Sequence, residues 1–311
     1  MTLAAGIDVG GTKYLGVVLD DEGTIVREHR VPTPHGAEAV IDTLAEVAAA
    51  LAPYDTLGIG MPGLVTRTGV LRAAPNLVGI RELAVADLLH ARLGHRVELD
   101  NDATCALVAE WQQGAARGVD EVVMVTLGTG IGGGIVAGGR LQRGVNGFAG
   151  EIGHTVVDPD GPPCPCGRRG CWERFASGSG LARLARDAAV GDRLRAVVAL
   201  AGSPEAIRGE HVQQAALAGD GEAQELIDTF ARWVALGLAN LANTLDPALF
   251  VLGGGLAESP ALYLGPITRW FGEMLFASES RPHPRVVFAQ LGEHAGAIGA
   301  ALLPRVHEPQ T

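Results

Sequence analysis

Short runs of β-branched and aliphatic residues alternate along the chain with stretches whose apolar positions recur every three or four residues. Residues 3–9, 14–20 and 24–31 read as three antiparallel strands, the last two separated by the acidic turn Asp20-Asp21-Glu22-Gly23. From 37 to 51, Ile41, Leu44, Val47, Ala48 and Leu51 share one helical face. A strand at 56–61, a helix at 83–93, a strand at 96–99 and a helix at 102–113 continue the alternation, which predicts an α/β lobe.

The pattern then restarts. Residues 121–127 and 132–137 flank Gly128-Thr129-Gly130-Ile131 as strand, turn and strand, as 5–18 does around Gly10-Gly11-Thr12. This likeness, at a separation of about 120 residues, predicts a duplicated lobe. Further on, 178–221 reads as mostly helical with little legible chemistry. A long helix at 222–245, a strand at 249–252 ending in Gly253-Gly254-Gly255, a helix at 263–276, a strand at 285–289 and a helix at 294–303 complete the chain. The expected division is a smaller lobe of 1–115 with 296–311, and a larger one of 116–295.

Composition narrows the function. With 47% hydrophobic and 19% charged residues, the chain can bury a large core and is not disordered. Glycine, 44 of 311 residues, is about twice its usual share, without the period of three that collagen needs. Lys and Arg number 24 against 35 Asp and Glu, a net charge of −11 that argues against nucleic acid or an anionic membrane surface as the main partner. The uncharged stretch 122–139 approaches membrane-span length, but its seven glycines favour strand and turn over helix. Asp8 arrives early with no basic segment ahead of it, so no signal peptide and a cytoplasmic location are expected.

Two phosphate-binding templates nearly fit and fail on context. Gly6-Ile-Asp-Val-Gly-Gly-Thr-Lys13 has Thr before Lys and leads into a strand rather than the helix of a P-loop. Gly128-Thr-Gly-Ile-Gly-Gly133 also leads into a strand, unlike a dinucleotide fingerprint. What is left is a pair of hairpin tips made of Gly and Thr, whose backbone N–H groups can approach phosphate oxygens closely, with Lys13 as a cation. The glycine surplus is therefore read in part as concentrated at 10–11, 128–134 and 253–255, with others turning the loop that carries Cys164, Cys166 and Cys171.

Asp100-Asn101-Asp102 ends a strand and starts a helix, where one cap would suffice. Ligands collect at the carboxyl ends of strands in α/β sheets, which makes Asp102 a candidate general base. His154, Cys164, Cys166 and Cys171 form a closed three-thiolate, one-imidazole set suited to structural zinc. Such an ion would pin His154 and Glu173, with Glu151 three residues before His154, in a rigid array able to recognise several hydroxyl groups. Cys105 reads as a core residue, and His29, His90 and His283 as solvated or packing residues.

Together these residues resemble the ROK family (repressor, open reading frame, kinase) of bacterial sugar kinases and sugar-responsive repressors. The likeness spans Asp8-Val-Gly-Gly-Thr-Lys13, Gly128-Thr-Gly-Ile-Gly-Gly-Gly134 with Gly139-Arg140, Glu151-Ile-Gly-His154, Cys164-x-Cys166-Gly-x-x-Gly-Cys171-x-Glu173 and Gly253-Gly-Gly255. It implies a two-lobed α/β hexokinase and actin-like ATPase fold, ribonuclease H-like, with duplicated mixed-sheet lobes and a zinc loop at 154–173. It also implies an ATP-dependent hexose 6-phosphotransferase, with glucose as first acceptor, using ATP, Mg²⁺ and structural Zn²⁺.

By position, the resemblance implies that Asp102 deprotonates the sugar 6-hydroxyl and that Asp8 helps hold Mg²⁺ through water. Asn76, Asn101, Glu151, His154 and Glu173 would bond sugar hydroxyls, with the backbone of Gly63 close by. Gly10, Gly11, Thr12, Lys13, Thr129 and Gly130 would face the phosphates, and Gly254 and Gly255 would border the adenosine. Glucokinase-like members often carry Trp near Ile80, which this chain lacks. N-acetylmannosamine or another amino sugar stays open as acceptor, and polyphosphate as donor. A sugar-responsive repressor of the family would need a DNA-binding module ahead of Asp8, where only seven residues stand, and a non-catalytic sugar sensor would not need Asp102 and Lys13. A homodimer or higher homo-oligomer is implied by the resemblance alone.

Overall fold

The computed structural model describes residues 2–34, 36–74 and 81–306. In chain order, β1 (Ala4–Val9), β2 (Lys13–Leu19) and β3 (Ile25–Pro32) lead to α1 (Ala37–Leu51) and β4 (Thr56–Met61). Three short strands, β5 (Leu64–Val65), β6 (Leu71–Ala73) and β7 (Arg81–Leu83), precede α2 (Val85–Leu93), β8 (Val97–Asn101) and α3 (Asp102–Gln112). Then come β9 (Val122–Leu127), β10 (Ile131–Ala137) and β11 (Arg140–Leu141). The helical stretch holds α4 (Glu173–Ala176), α5 (Gly178–Ala188), α6 (Arg195–Ala201), α7 (Gly209–Leu217) and α8 (Gly221–Leu245). β12 (Leu249–Gly253), α9 (Pro260–Met274), β13 (Arg285–Phe288) and α10 (Ala295–Val306) close the fold.

The mixed α/β class expected from the alternation is what forms. One five-stranded sheet has the order β3-β2-β1-β4-β8, and a second has β11-β10-β9-β12-β13. Numbered within each sheet, both read third, second, first, fourth, fifth. β1 to β3 pair antiparallel, as their hairpin turns require, whereas β4 joins β1 and β8 in parallel. In the second sheet β10 and β11 are antiparallel and β12 and β13 parallel.

The chain divides into two compact units: Met1–Met124 with Gly133–Gly150 and Ala289–Thr311, and Val125–Gly132 with Glu151–Phe288. In the first, α1 buries Val40, Ile41, Leu44, Val47, Ala48 and Leu51 as its periodicity predicts. The edge strand β3 alternates half-buried and exposed positions, while the central β4 is buried along nearly its whole length. α10 lies against β1, β4 and α3 at glycine contacts. A Cβ on Gly6 would stand 2.1 Å from the Ala297 carbonyl oxygen, on Gly58 1.9 Å from that of Ala300, and on Gly299 1.6 Å from that of Cys105. Cys105 itself is fully buried.

In the second unit, α8 buries a long apolar face against aromatic side chains. The Trp172 indole is buried, donates from Nε1 to the Trp233 carbonyl (2.8 Å) and occupies the space a Cβ on Gly237 would need, 1.9 Å from its Cε2. Phe175 stacks on Trp233 with ring centroids 4.2 Å apart. The zinc loop is thereby fastened to the longest helix.

Some element boundaries differ from the sequence reading. Residues 81–83 are extended because Leu83 pairs with Leu71 and Arg81 with Ala73, so the next helix starts at Val85. α9 begins at Pro260, whose fixed φ and missing N–H suit a first helical turn. The small sheet β5-β6-β7 carries too few residues per strand to register as periodicity. Among the described residues no helix is long and apolar enough to cross a membrane.

Candidate active site

Three acidic residues gather at the carboxyl ends of parallel strands in the first unit. Register places Asp8 of β1 beside Gly60 of β4, and Gly60 beside Asp100 of β8. The glycine between them leaves no side chain to separate the neighbours. Asp100 is nearly buried and takes the Arg143 guanidinium, Nε to Oδ2 at 2.6 Å, while its Oδ1 accepts the Asn101 N–H at 2.9 Å. Its charge is thus compensated.

The cap of α3 is Asn101, not an aspartate. Asn101 Oδ1 accepts the N–H groups of Ala103 (2.9 Å) and Thr104 (3.2 Å), and its Nδ2 donates to the Gly63 carbonyl at 3.2 Å. Asp102, the first helical residue, accepts a local bond from the Ala103 N–H on Oδ1 (2.8 Å). Burial pushes its carboxyl above the ordinary carboxylate range, opposed by that N–H and by Asn101. Asp8 is pushed up to about 7, by burial first and the Asp102 charge second, with Lys13 opposing. Its carboxylate abuts the first turn of α10, where a Cβ on Gly296 would lie 2.5 Å from Cγ.

Gly63 has φ +105°, and a Cβ there would stand 2.2 Å from the Ala73 carbonyl oxygen, so only glycine fits. The tip between β1 and β2 closes through a Gly10 N–H to Lys13 carbonyl bond of 3.0 Å, and the Thr33 hydroxyl donates to the Gly10 carbonyl at 2.6 Å. Gly11 and Thr12 are exposed, with nothing within 4 Å of a Cβ built on Gly11. Lys13 reaches Glu293, Nζ to Oε2 at 2.6 Å, and Arg30 grips the same carboxylate. Asn76 and Ile80 lie outside the described residues.

A fourth carboxylate, unforeseen from sequence, holds this arrangement together. Glu110 is fully buried on α3, accepts the N–H groups of Gln290 and Leu291 on Oε1 at 2.8 Å each, and takes Ala115 N–H on Oε2 at 2.8 Å. It ties α3, which begins at Asp102, to the segment leading into α10. A lone Glu on an amphipathic helix gives no sign of such a role.

In the second unit, the four expected metal ligands converge. The ligand atoms of His154, Cys164, Cys166 and Cys171 all lie within 4.8 Å of one another. The Cys166 and Cys171 sulfurs are 3.5 Å apart, and Cys164 Sγ is 3.8 Å from His154 Nδ1. Ligand atoms around a tetrahedral zinc stand roughly 3.5–3.8 Å apart, so both the donor set and its spacing fit that ion. Burial pushes the Cys164 thiol up, and Cys166, despite burial, is drawn down to about 7 by the Arg168 N–H and the neighbouring thiols. Glu173 Oε1 lies 3.0 Å from Cys164 Sγ and 3.6 Å from His154 Nδ1, and Glu151 Oε2 is 3.9 Å from His154 Nε2. Glu151, His154 and Glu173 thus stand together at the cluster.

The tip between β9 and β10 meets two other segments of the same unit. Gly178 N–H donates to the Gly128 carbonyl at 2.8 Å, and a Cβ on Gly254, at φ +83°, would collide with Leu127 backbone at 2.6 Å. Glu173 closes over Gly130, with Oε2 2.8 Å from a Cβ built there. Beside the tip opens a cavity of about 570 Å³. Thr129 and Gly255 line it, and so do Ser179, Leu181, Arg186, Gly209 and Gln213. The helices of 178–221, which carried no legible chemistry, therefore form much of its wall. Their periodicity reports one buried face and says nothing of the cavity at their N-terminal ends.

The spread of glycines differs from the sequence reading. Gly6, Gly58, Gly237 and Gly299 serve close packing of helices, where a Cβ would be 1.6–2.1 Å from its neighbour. The loops account for only part of the surplus.

Comparison with known proteins agrees with this architecture. The glucokinase of Streptomyces coelicolor is 41% identical over 316 residues, covering 99% of both chains. The N-acetylmannosamine kinase of Shigella flexneri is 35% identical over 311 residues, covering 97% of this chain and 98% of the relative. The crystal structure of a ROK family glucokinase from Streptomyces griseus in complex with glucose and AMPPNP superimposes with a TM-score of 0.88 at 40% identity, over 98% of this chain and 100% of that one. A model of the ROK family matches residues 4–306, and the chain belongs to that family.

Proposed function

We propose that this protein transfers the γ-phosphate of ATP to the 6-hydroxyl of a hexose, with glucose as the preferred acceptor. The observation that carries this reading is Asp102 itself. Its neighbour Asn101 supplies the helix cap and Asp100 absorbs Arg143, which leaves one carboxylate with a raised pKa, in no ion pair among the described residues, at a strand's carboxyl end. Such a group can take a proton from an alcohol. The hydroxyl oxygen then forms its bond to the γ-phosphorus, the bond from phosphorus to the bridging oxygen breaks, and ADP leaves with that electron pair.

The remaining roles are positional, as phosphoryl transfer demands. Asp8 would face the nucleotide-bound Mg²⁺ through water, and its high pKa beside Asp102 is what a cation would relieve. When bound, Mg²⁺ would neutralise charge on the phosphates. Gly10, Gly11, Thr12, Lys13, Thr129 and Gly130 would meet the phosphate chain, with Lys13 leaving Glu293 to do so. Gly254 and Gly255 would border the adenosine. Asn101, Glu151, His154 and Glu173 would bond sugar hydroxyls near the Gly63 backbone, as would Asn76. Zinc on His154, Cys164, Cys166 and Cys171 would be structural, keeping His154 and Glu173 in place. The bidirectional resemblance to glucokinases favours glucose, and the 35% identity to an N-acetylmannosamine kinase supports an amino sugar as the second reading. We also take a homodimer or higher oligomer from the family likeness, which light scattering tests.

The deciding experiment is a panel of glucose, mannose and N-acetylmannosamine with ATP or polyphosphate, scored by phosphate transfer. Glucose with ATP is expected to give the highest kcat/KM. Equal rates on all sugars would remove the glucose preference, and transfer only to the N-acetyl sugar would install the second reading.

A further inference from the structure

The Lys13 ammonium already has an anion, and a second cation holds that anion in place. Register in the first sheet sets Asp8 opposite Leu15, and Leu15 opposite Arg30. Lys13, two residues before Leu15, and Glu28, two before Arg30, therefore project from the same face as Asp8. α10 covers this face, since Gly296 packs against the Asp8 carboxylate. The single turn ahead of α10, Gly292–His294, brings Glu293 and His294 to it.

The five side chains form one line of contacts. Lys13 Nζ stands 2.6 Å from Glu293 Oε2. Arg30 takes both oxygens of that carboxylate, Nη2 to Oε1 at 2.8 Å and Nη1 to Oε2 at 3.2 Å. Its Nε is 2.6 Å from Glu28 Oε1, and Glu28 Oε2 is 2.8 Å from His294 Nε2. The two grips on Glu293 differ in kind. A guanidinium holds a carboxylate in a fixed fork, whereas an ammonium is a point charge on a flexible stem. The side chains of Lys13 and Glu293 are 43% and 51% exposed, so water screens their pair and the ammonium can leave at small cost. Arg30, braced by Glu28, keeps the carboxylate where it is when Lys13 goes. Arg30 first and Lys13 second also hold the Glu293 carboxyl down at about 2, so it is an anion throughout the neutral range.

We propose that Glu293, anchored by Arg30, is a resident counter-ion that competes with the nucleotide's phosphate chain for Lys13 and thereby weakens nucleotide binding. When phosphates arrive, the ammonium swings to them and Arg30 alone neutralises Glu293. When they depart, the carboxylate takes the ammonium back. Glu293 acts through Lys13 and needs no contact with the nucleotide. The place of Lys13 at the phosphates is taken from the kinase reading, on which this role rests.

The test uses the full-length protein with Glu293→Gln, Glu28→Gln, Lys13→Met and the double variant Lys13→Met with Glu293→Gln, each checked for unchanged thermal unfolding. AMPPNP with Mg²⁺ is titrated calorimetrically, and KM is measured for ATP and for the sugar. Lys13→Met is expected to weaken AMPPNP binding by about tenfold. Glu293→Gln is expected to tighten it by about three- to fivefold, the release of one exposed pair, and to lower the KM for ATP in parallel with the KM for the sugar unchanged. A variant that merely loosened the fold would bind more weakly, so the sign separates the two causes. Glu28→Gln removes the same charge one contact further away and should leave AMPPNP affinity within about 1.5-fold. In the Lys13→Met background, Glu293→Gln should likewise change it by no more than about 1.5-fold. Unchanged or weaker binding in Glu293→Gln overturns the proposal, as does equal tightening with and without Lys13, which is the mark of bulk charge. AMPPNP affinity indifferent to Lys13→Met removes Lys13 from the phosphates and the proposal with it. The full binding pattern with no transfer from ATP to any sugar would count against the kinase reading and leave the role of Glu293 standing.

Discussion

The two hairpins that open the two sheets share a turn chemistry and a strand order, yet they are built for different work. Around the β1 and β2 tip, the nearby acids are Asp8, Asp100 and Asp102, and Lys13 follows the turn. Around the β9 and β10 tip, Thr126 and Thr129 are the only side chains with polar atoms between Val122 and Ala137, and what adjoins it is a cavity and a cysteine-rich loop. One copy of the scaffold concentrates charge and the other concentrates shape. A duplicated fold can divide labour this way because strand order is set by backbone pairing, whereas each tip's chemistry depends on a few side chains.

If that division is right, Asp102→Asn should strike turnover hardest. Its kcat is expected to fall by about 10²–10⁴-fold with the melting temperature unchanged, since Asn keeps the bond from Ala103 N–H. Near-normal turnover would remove Asp102 as the base. In the other region the largest effect should be on stability. Cys171→Ser, or chelation, is expected to lower Tm by on the order of 10 °C through loss of a structural ion, and metal analysis should find about one zinc per wild-type chain. Full activity and stability in zinc-free protein would break the comparison.

Proton linkage sharpens the charged side. Asp8 has its pKa raised from 3.8 to about 7, so its neutral form favours the folded state. That contribution is complete below about pH 4 and is lost as pH rises through 7, a loss on the order of a few kcal/mol in metal-free protein. Thermal unfolding between pH 4 and 8 should therefore show a downward slope that Asp8→Asn flattens and Mg²⁺ with nucleotide offsets. On the packing side, Gly237→Ala sets a methyl 1.9 Å from Trp172 and should cost about 1–3 kcal/mol in denaturant unfolding. Gly11→Ala, with nothing within 4 Å, should leave stability within about 0.5 kcal/mol and register only in the KM for ATP.

Much of this was legible from residue order. The zinc ligands lie within eighteen positions of one another, Asp8 lies near the end of an apolar run and Asp102 at a strand-to-helix junction, and the helical and strand periods reported the longer strands and helices to within a few residues. Other features gave no local sign. That Asn101 rather than an aspartate caps α3, that Arg143 neutralises Asp100, and that Gly6 and Gly237 serve packing all depend on neighbours far along the chain. The clearest case is Glu110, whose partner Gln290 lies 180 residues away.

The boundary between the two kinds of feature follows from the range of the forces involved. Periodic burial, turn residues and ligand spacing act over a few residues, so order along the chain suffices to specify elements, the metal set and the family to which they point. Charge compensation, cavity walls and tolerance for a methyl group depend on which surfaces meet once the chain has crossed itself. In this protein that crossing assigned Arg143 to Asp100, buried the Asp102 carboxyl, and turned a silent helical stretch carrying Gln213 into the wall of a cavity.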